Sequence, residues 1–303
     1  MQQATEATRS TLGVWRRFVL TLEMIRFEHS VFALPFALTG AALAWRHGEV
    51  SGAVWVKLGW IVAAMVGARS AAMAFNRLVD AAIDARNPRT RMRHLPAGLL
   101  SRSFAWGFFA ASVALFLAAS AMLNPLCLRL APLALAVVLF YSWTKRFTSM
   151  SHIVLGLALG IAPGAAWIAM TGGFDARMLW LTAAVTFWTA GFDIIYSCQD
   201  TDFDLREGLH SIPARLGIRG ALNVSRLFHV VMVGCLSALA WSFEGGAAAW
   251  AGVVLTAALL LWEHRLVRHD DLSRVDAAFF TVNGWIGILY FACWAVDLSG
   301  AFA

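Results

Sequence analysis

Apolar runs of roughly 18–25 residues follow one another along the whole chain, and each is long enough to cross a bilayer as a helix. A chain built this way cannot form an ordinary water-soluble core. Of its 303 residues 60% are hydrophobic and only 14% are charged, a balance far from that of a soluble domain. No polar or Pro/Ser-rich linker divides it. It therefore reads as one integral membrane domain over residues 1–303. The formal net charge of +6 reports topology rather than a nucleic acid partner. Cys127, Cys198, Cys235 and Cys293 are scattered through apolar runs with no CxxC pair, so neither a zinc site nor a disulfide framework is indicated.

The runs predict nine spanning helices. The first ends near Trp45, after an amphipathic stretch that holds Glu23, Arg26, Glu28 and His29. That broken stretch argues against a signal peptide. The others cover about Val54–Asp84, Leu99–Met122, Pro125–Trp143, Ile153–Met170, Met178–Asp204, Ala221–Phe243, Ala247–Val267 and Val275–Leu298. Basic residues collect in alternate connections: Arg86–Arg102, Lys145 and Arg146, Arg206–Arg226, and Arg265–Arg274. The positive-inside rule places these at the cytoplasmic face.

Two helix ends carry carboxylates in register. Asn76, Asp80 and Asp84 stand at four-residue steps, and Tyr196, Asp200 and Asp204 repeat the step about 120 residues later. Residues four apart share a helix face. An arginine-containing loop follows each column, with Arg86, Arg89, Arg91 and Arg93 after the first and Arg206, Arg215 and Arg219 after the second. The pattern suggests a weak internal repeat, roughly 18–145 and 150–270; convergence of two helix ends on one function gives the same pattern. Like charges on adjacent turns repel unless a cation lies between them. Oxygen ligands without His or Cys suit Mg²⁺, with Mn²⁺ possible, rather than zinc. Two such columns can hold metal against a diphosphate, with arginines and Lys145 on its oxygens. A diphosphate so held is a good leaving group. If the organic part is an allylic chain, departure of the diphosphate gives a delocalised carbocation that a water-poor cavity protects, aromatic faces can stabilise and an electron-rich ring can capture.

These motifs resemble the UbiA superfamily of intramembrane prenyltransferases over nearly the whole chain. The first motif, NxxxDxxxD, is met by Asn76, Asp80 and Asp84 and is extended by Asn87–Thr90 and by Arg93 with Leu95–Gly98. The second, DxxxD, is met by Asp200 and Asp204 in the context YSCQD. The resemblance implies an all-α bundle of nine helices around a central cavity. It also implies Mg²⁺ dependence and transfer of a polyprenyl chain from its diphosphate to an acceptor. Arg69 matches a position near the diphosphate, and YSWTKRFT (Tyr141–Thr148), with Lys145 and Arg146, looks like a diphosphate-side segment. GFDIIYSCQD resembles the branch that prenylates 4-hydroxybenzoate for ubiquinone. FALPFAL and Ala162–Trp167 look more like the branch that makes menaquinone from a dihydroxynaphthoate. Both acceptors are hydroxylated aromatic acids. The implied location is a bacterial inner membrane, multi-pass, with the site facing the cytoplasm.

Other polar residues divide between two readings. Arg26 either holds an acceptor carboxylate or anchors the first span. Asp193, one turn before Tyr196, has either a substrate-side role or a helix–helix hydrogen bond. His152 and His210 read as loop residues near the site, and Asp202, Asp270, Asp271 and Asp276 as solvated. The competing class is an ion-coupled transporter using its carboxylates as a relay. Transport predicts acids near the bilayer midplane on broken helices, whereas these acids stand at helix ends beside arginines.

Overall fold

The computed structural model describes residues 14–25 and 30–300, and among these the chain is almost entirely helical. A short amphipathic helix α1 (Val14–Met24) precedes α2 (Ser30–His47). The long helices are α3 (Val54–Arg86), α4 (Arg102–Leu123), α5 (Pro125–Thr144), α6 (Ser151–Thr171) and α7 (Met178–Ser197). A 3₁₀ turn (Cys198–Asp200) and α8 (Thr201–Glu207) follow, then α9 (Ile212–Ser242), α10 (Ala247–Leu266) and α11 (Asn283–Leu298). Eight segments among the described residues are long and apolar enough to span a membrane, counting α7 with α8 as one. The chain is thus an integral, multi-pass membrane protein. Helix α2, the expected first span, packs within the same bundle.

Each long helix packs on the next in sequence, and α11 returns to α2, so the bundle closes on itself. Lipid offers no hydrophobic drive for helix pairing, so close approach through small residues does that work. Helices α6 and α7 show it plainly. A Cβ on Gly156 would lie 2.2 Å from the Thr186 carbonyl oxygen, and one on Gly160 2.2 Å from the Thr186 hydroxyl. Likewise, a Cβ on Gly40 of α2 would meet the carbonyl oxygen of Pro163 in α6 at 2.3 Å. The core those contacts enclose is aromatic. Trp188 lies 4.9 Å from Phe36 and 5.0 Å from Phe192, ring centre to ring centre, and Phe192 lies 5.2 Å from Phe279.

Buried polar side chains link α7 to α10 and α11. Trp188 Nε1 donates to Asn283 Oδ1 at 2.6 Å, and Asn283 Nδ2 donates to Glu263 Oε1 at 3.0 Å and to the Ala278 carbonyl at 3.1 Å. A π-helical turn, Ala277–Val282, lies directly ahead of α11.

The expected boundaries differ from the structure at three places. The column helix expected over Met178–Asp204 is interrupted, because α7 tightens into the 3₁₀ turn at Cys198–Asp200 before α8 resumes. The seventh span starts earlier, at Ile212, capped by Ser211 Oγ on the Ala214 N–H at 3.3 Å, with a break at Gly217 (φ 69°) that leaves Ala221 as the expected start of the straight part. His152 is not a loop residue; it sits in the first turn of α6 and is fully buried.

Candidate active site

Helix α3 is 33 residues long, about 50 Å at 1.5 Å per residue, against a hydrocarbon core about 30 Å thick. Its carboxylate-bearing end therefore reaches the membrane boundary, away from the midplane. The loop after it is bound to the end of α7 and α8. Asn87 caps α3 with its N–H on the Ile83 carbonyl, and its side-chain amide donates to Asp200 Oδ1 at 3.1 Å. Arg89 grips both oxygens of Asp200, with Nε on Oδ1 at 2.8 Å and Nη2 on Oδ2. Arg89 Nη1 also donates to the Tyr196 hydroxyl at 2.9 Å. Arg86 pairs with Glu207 at 2.8 Å. The two columns thus meet at one end of the bundle.

Every acid of the columns has basic company. Asp80 accepts from Asn76 Nδ2 at 2.9 Å and from Arg146 at 3.0 Å. Asp84 accepts from Arg93 at 2.7 Å, with Arg77 4.0 Å away. Lys145, the residue after α5, is an electrostatic neighbour of Asp80, Asp193, Asp200 and Asp204. Burial alone would lower its pKa. Tyr141 and the three aspartates Asp204, Asp193 and Asp200 outweigh burial and hold it above the usual lysine range. Its carbonyl also accepts the His210 N–H at 2.7 Å, which ties α5 to the loop before α9.

Within the acidic columns two carboxylate oxygens are buried without a hydrogen bond, Asp84 Oδ2 and Asp204 Oδ2, one from each column; Glu263 Oε2, outside the site, is a third among the described residues. Asp204 is only 2% exposed. It borders an open pocket of about 430 Å³ that also touches Thr148, Gly208 and Ser211. Among the described residues no three carboxylate, imidazole or thiol side chains converge as a ready metal cage.

Below Asp200 the same face of α7 is aromatic. Trp188, Phe192 and Tyr196 continue the four-residue step downward, and Phe279 stacks 4.4 Å from Tyr196. Asp193 is beside this stripe. His152 Nδ1 lies 2.7 Å from its Oδ2, and His152 Nε2 accepts the Ile212 N–H at 3.4 Å. With Nε2 accepting, the ring proton is on Nδ1 and is donated to Asp193. The helix–helix bond is one of the two readings of Asp193 from sequence, and this is the partner.

The structure therefore gathers Asn76, Asp80, Asp84, Arg93, Lys145, Arg146, Asp193, Tyr196, Asp200 and Asp204 at one end. Arg69 stands further down α3, two turns before Asn76. Arg26, with Glu28 and His29, falls outside the described residues. Sequence reasoning counted Arg89 only among the arginines flanking the first column and Asn87 only within the extension of the first motif, and gave His152 no role in the site. The asparagine and arginine were visible in the NPRT run; the histidine had no local signal.

The UbiA prenyltransferase family matches residues 33–286. A UbiA homologue from Aeropyrum pernix K1, solved in its apo form, superposes with a TM-score of 0.80 at 37% identity, covering 89% of this chain and 98% of that one. A UbiA homologue from Archaeoglobus fulgidus, solved bound to GPP and Mg²⁺, shares the fold at a TM-score of 0.72 and 20% identity, over 92% of this chain and 99% of that one. By sequence, the 4-hydroxybenzoate octaprenyltransferase of Shewanella woodyi is 28% identical over 229 residues, 76% of this chain and 79% of the relative. This chain belongs to the UbiA prenyltransferase family.

Proposed function

We propose that this protein transfers a polyprenyl group from its diphosphate to the ring of a hydroxylated aromatic acid, with Mg²⁺ (or Mn²⁺) bound by the two acidic columns. The observation that carries this reading is the pair of buried, unbonded oxygens, Asp84 Oδ2 and Asp204 Oδ2, on two helix ends that the Arg89–Asp200 clamp draws together. Asp80, Asp84, Asp200 and Asp204 would hold the metal, with Asn76 beside them. When bound, the metal neutralises charge on the diphosphate and so favours its departure.

The chain's own groups do the rest. Lys145, Arg93 and Arg146, with Arg69 deeper in α3, supply fixed positive charge to the diphosphate oxygens, which retain negative charge as the allylic C–O bond breaks. The prenyl chain extends from there into the apolar bundle. The stripe of Trp188, Phe192 and Tyr196 presents aromatic faces to the allylic cation, an attraction worth about 0.5–2 kcal/mol per ring. The bundle keeps water from that cation. Asp193, fixed by His152, is the acid beside the stripe and is suited to orient the acceptor hydroxyl. Arg26 remains the candidate for the acceptor carboxylate.

Shewanella and Vibrio relatives named as 4-hydroxybenzoate octaprenyltransferases support an acceptor of that class and a bacterial inner membrane. The distribution of basic loops supports a cytoplasm-facing site. The repeat of acid column and arginine loop supports an origin by internal duplication.

The test is incubation of membranes holding the protein with a polyprenyl diphosphate and a mixture of 4-hydroxybenzoate and dihydroxynaphthoate, with and without EDTA, read by product mass. Prenylated acid that disappears with EDTA is the expected result. Metal-independent movement of substrate across the membrane, with no prenylated product, would overturn it.

A further inference from the structure

A second polar concavity lies outside the acidic site. It is an open pocket of about 980 Å³ where the start of α9 meets the end of α10 and the loop beyond. Arg219, Arg226, Arg265, Arg268 and Arg274 all line it, against two carboxylates, Asp270 and Asp271. Its apolar wall includes Leu222 and Val267, both buried. The antiparallel turn formed by Arg268 and Asp271 shapes the rim.

These arginines differ from those of the acidic site. Arg86, Arg89, Arg93 and Arg146 are each paired with a carboxylate. Among the described residues, none of the five pocket arginines is in an ion pair. Arg219 reaches only His269 at 3.3 Å, and Arg226 only the Asn223 amide oxygen at 2.8 Å. The positive-inside rule asks for basic loops but does not ask for five guanidiniums around one hollow. Guanidinium forks suit phosphate oxygens.

The faces below the pocket are apolar and open to lipid. Val230 stands one turn deeper than Arg226 on α9 and is 68% exposed; Leu261 stands one turn deeper than Arg265 on α10 and is 64% exposed. Residues four apart share a helix face, so each helix offers a cation at the membrane boundary and an exposed aliphatic side chain directly beneath it. Trp262, half-exposed on α10, fits the headgroup level, where indole rings collect.

We propose that this pocket binds an anionic phospholipid, with the headgroup phosphate on the arginines and the acyl chains along Val230 and Leu261. Basic pockets between spanning helices recognise anionic headgroups in this way. Inorganic phosphate shares the headgroup chemistry but gains nothing from the aliphatic faces, so it serves as the discriminating ligand.

The test is native mass spectrometry of the full chain in neutral detergent with phosphatidylglycerol, phosphatidylcholine or inorganic phosphate. Wild-type protein retains one phosphatidylglycerol in preference to phosphatidylcholine. The Arg265→Ala/Arg268→Ala/Arg274→Ala variant loses that preference by about a hundredfold, whereas Arg46→Ala/Arg129→Ala, which removes two cations elsewhere, keeps it. Equal retention of the two lipids by wild-type protein, undiminished retention by the triple variant, or full displacement by excess inorganic phosphate would each overturn the proposal. The wild-type comparison stands even where the triple variant fails to fold.

Discussion

The Arg89 guanidinium and the Asp200 carboxylate, 111 positions apart, form a two-pronged clamp, Nε to Oδ1 at 2.8 Å and Nη2 to Oδ2. The bond joins the loop after α3 to the turn after α7 and so sets the distance between the two acidic columns. Burial works against the charge on Arg89, but the hydrogen bond to Asp200 outweighs it and holds the guanidinium pKa above its ordinary range. The clamp is charged at any working pH. Arg89→Ala is expected to raise KM for the prenyl diphosphate about tenfold or more, and Arg89→Lys to recover only part, because an ammonium cannot make the planar two-pronged contact. Steady-state kinetics with varied donor reads this; an unchanged KM in both variants contradicts the role given to the clamp.

Lys145 lies between the columns, and its pKa is raised above the usual lysine value. A lysine gaining negative neighbours contributes stability that is fully present below its unfolded pKa, about 10.4. That contribution is lost only as pH rises through the higher folded value. Between pH 6 and about 10 no Lys145 titration is therefore expected in activity or in melting temperature. Lys145→Ala should raise the donor KM with a smaller effect on kcat. A lysine-dependent fall in activity near neutral pH would show that the surrounding aspartates do not hold the charge.

Gly156 lies at a close approach of α6 and α7. In Gly156→Ala the new methyl group would lie only 2.2 Å from the Thr186 backbone oxygen. Neither backbone can yield as a side chain tip would. The expected cost is about 1–3 kcal/mol, seen as a lower apparent melting temperature in detergent. Gly172→Ala serves as the comparison for strain at a positive φ of 74° with open space around it.

Asn283 satisfies three buried groups: Trp188 Nε1, Glu263 Oε1 and the Ala278 carbonyl. Asn283→Leu leaves all three without that partner in a low-dielectric interior. Each unsatisfied group costs about 1–3 kcal/mol, so the variant is expected to be among the least stable single substitutions in the bundle. Glu263→Gln, which keeps an acceptor for the asparagine amide, should cost much less. Equal losses for the two would argue that packing, not hydrogen bonding, dominates there.

The spans were legible because bilayer thickness fixes their length and their polar ends mark them; Val54, Pro125, Met178 and Ala247 begin their helices where the sequence placed them. The columns were legible because a helix turns Asp80/Asp84 and Asp200/Asp204 to a common side. The interruption at Cys198–Asp200 was not, since no Gly or Pro in YSCQD announces it. Nor was the break at Gly217, where a glycine takes a positive φ inside an otherwise continuous helical run, or the π-turn before α11. Pairs distant in sequence were the least legible. Nothing in the local spacing assigns Arg89 to Asp200 rather than Asp84, or His152 to Asp193, because the first pairing joins the loop after α3 to the turn after α7 and the second joins α6 to α7.

The central claim is that Asp84 and Asp204 jointly hold a divalent ion against a diphosphate. The most direct measurement is equilibrium binding of an unreactive prenyl thiolodiphosphate to wild-type protein, Asp84→Asn and Asp204→Asn, with and without Mg²⁺. The account predicts that Mg²⁺ tightens binding to wild-type protein and that either substitution removes most of this Mg²⁺-dependent gain while leaving the bundle folded. Mg²⁺-dependent tightening of the same size in all three proteins would contradict it.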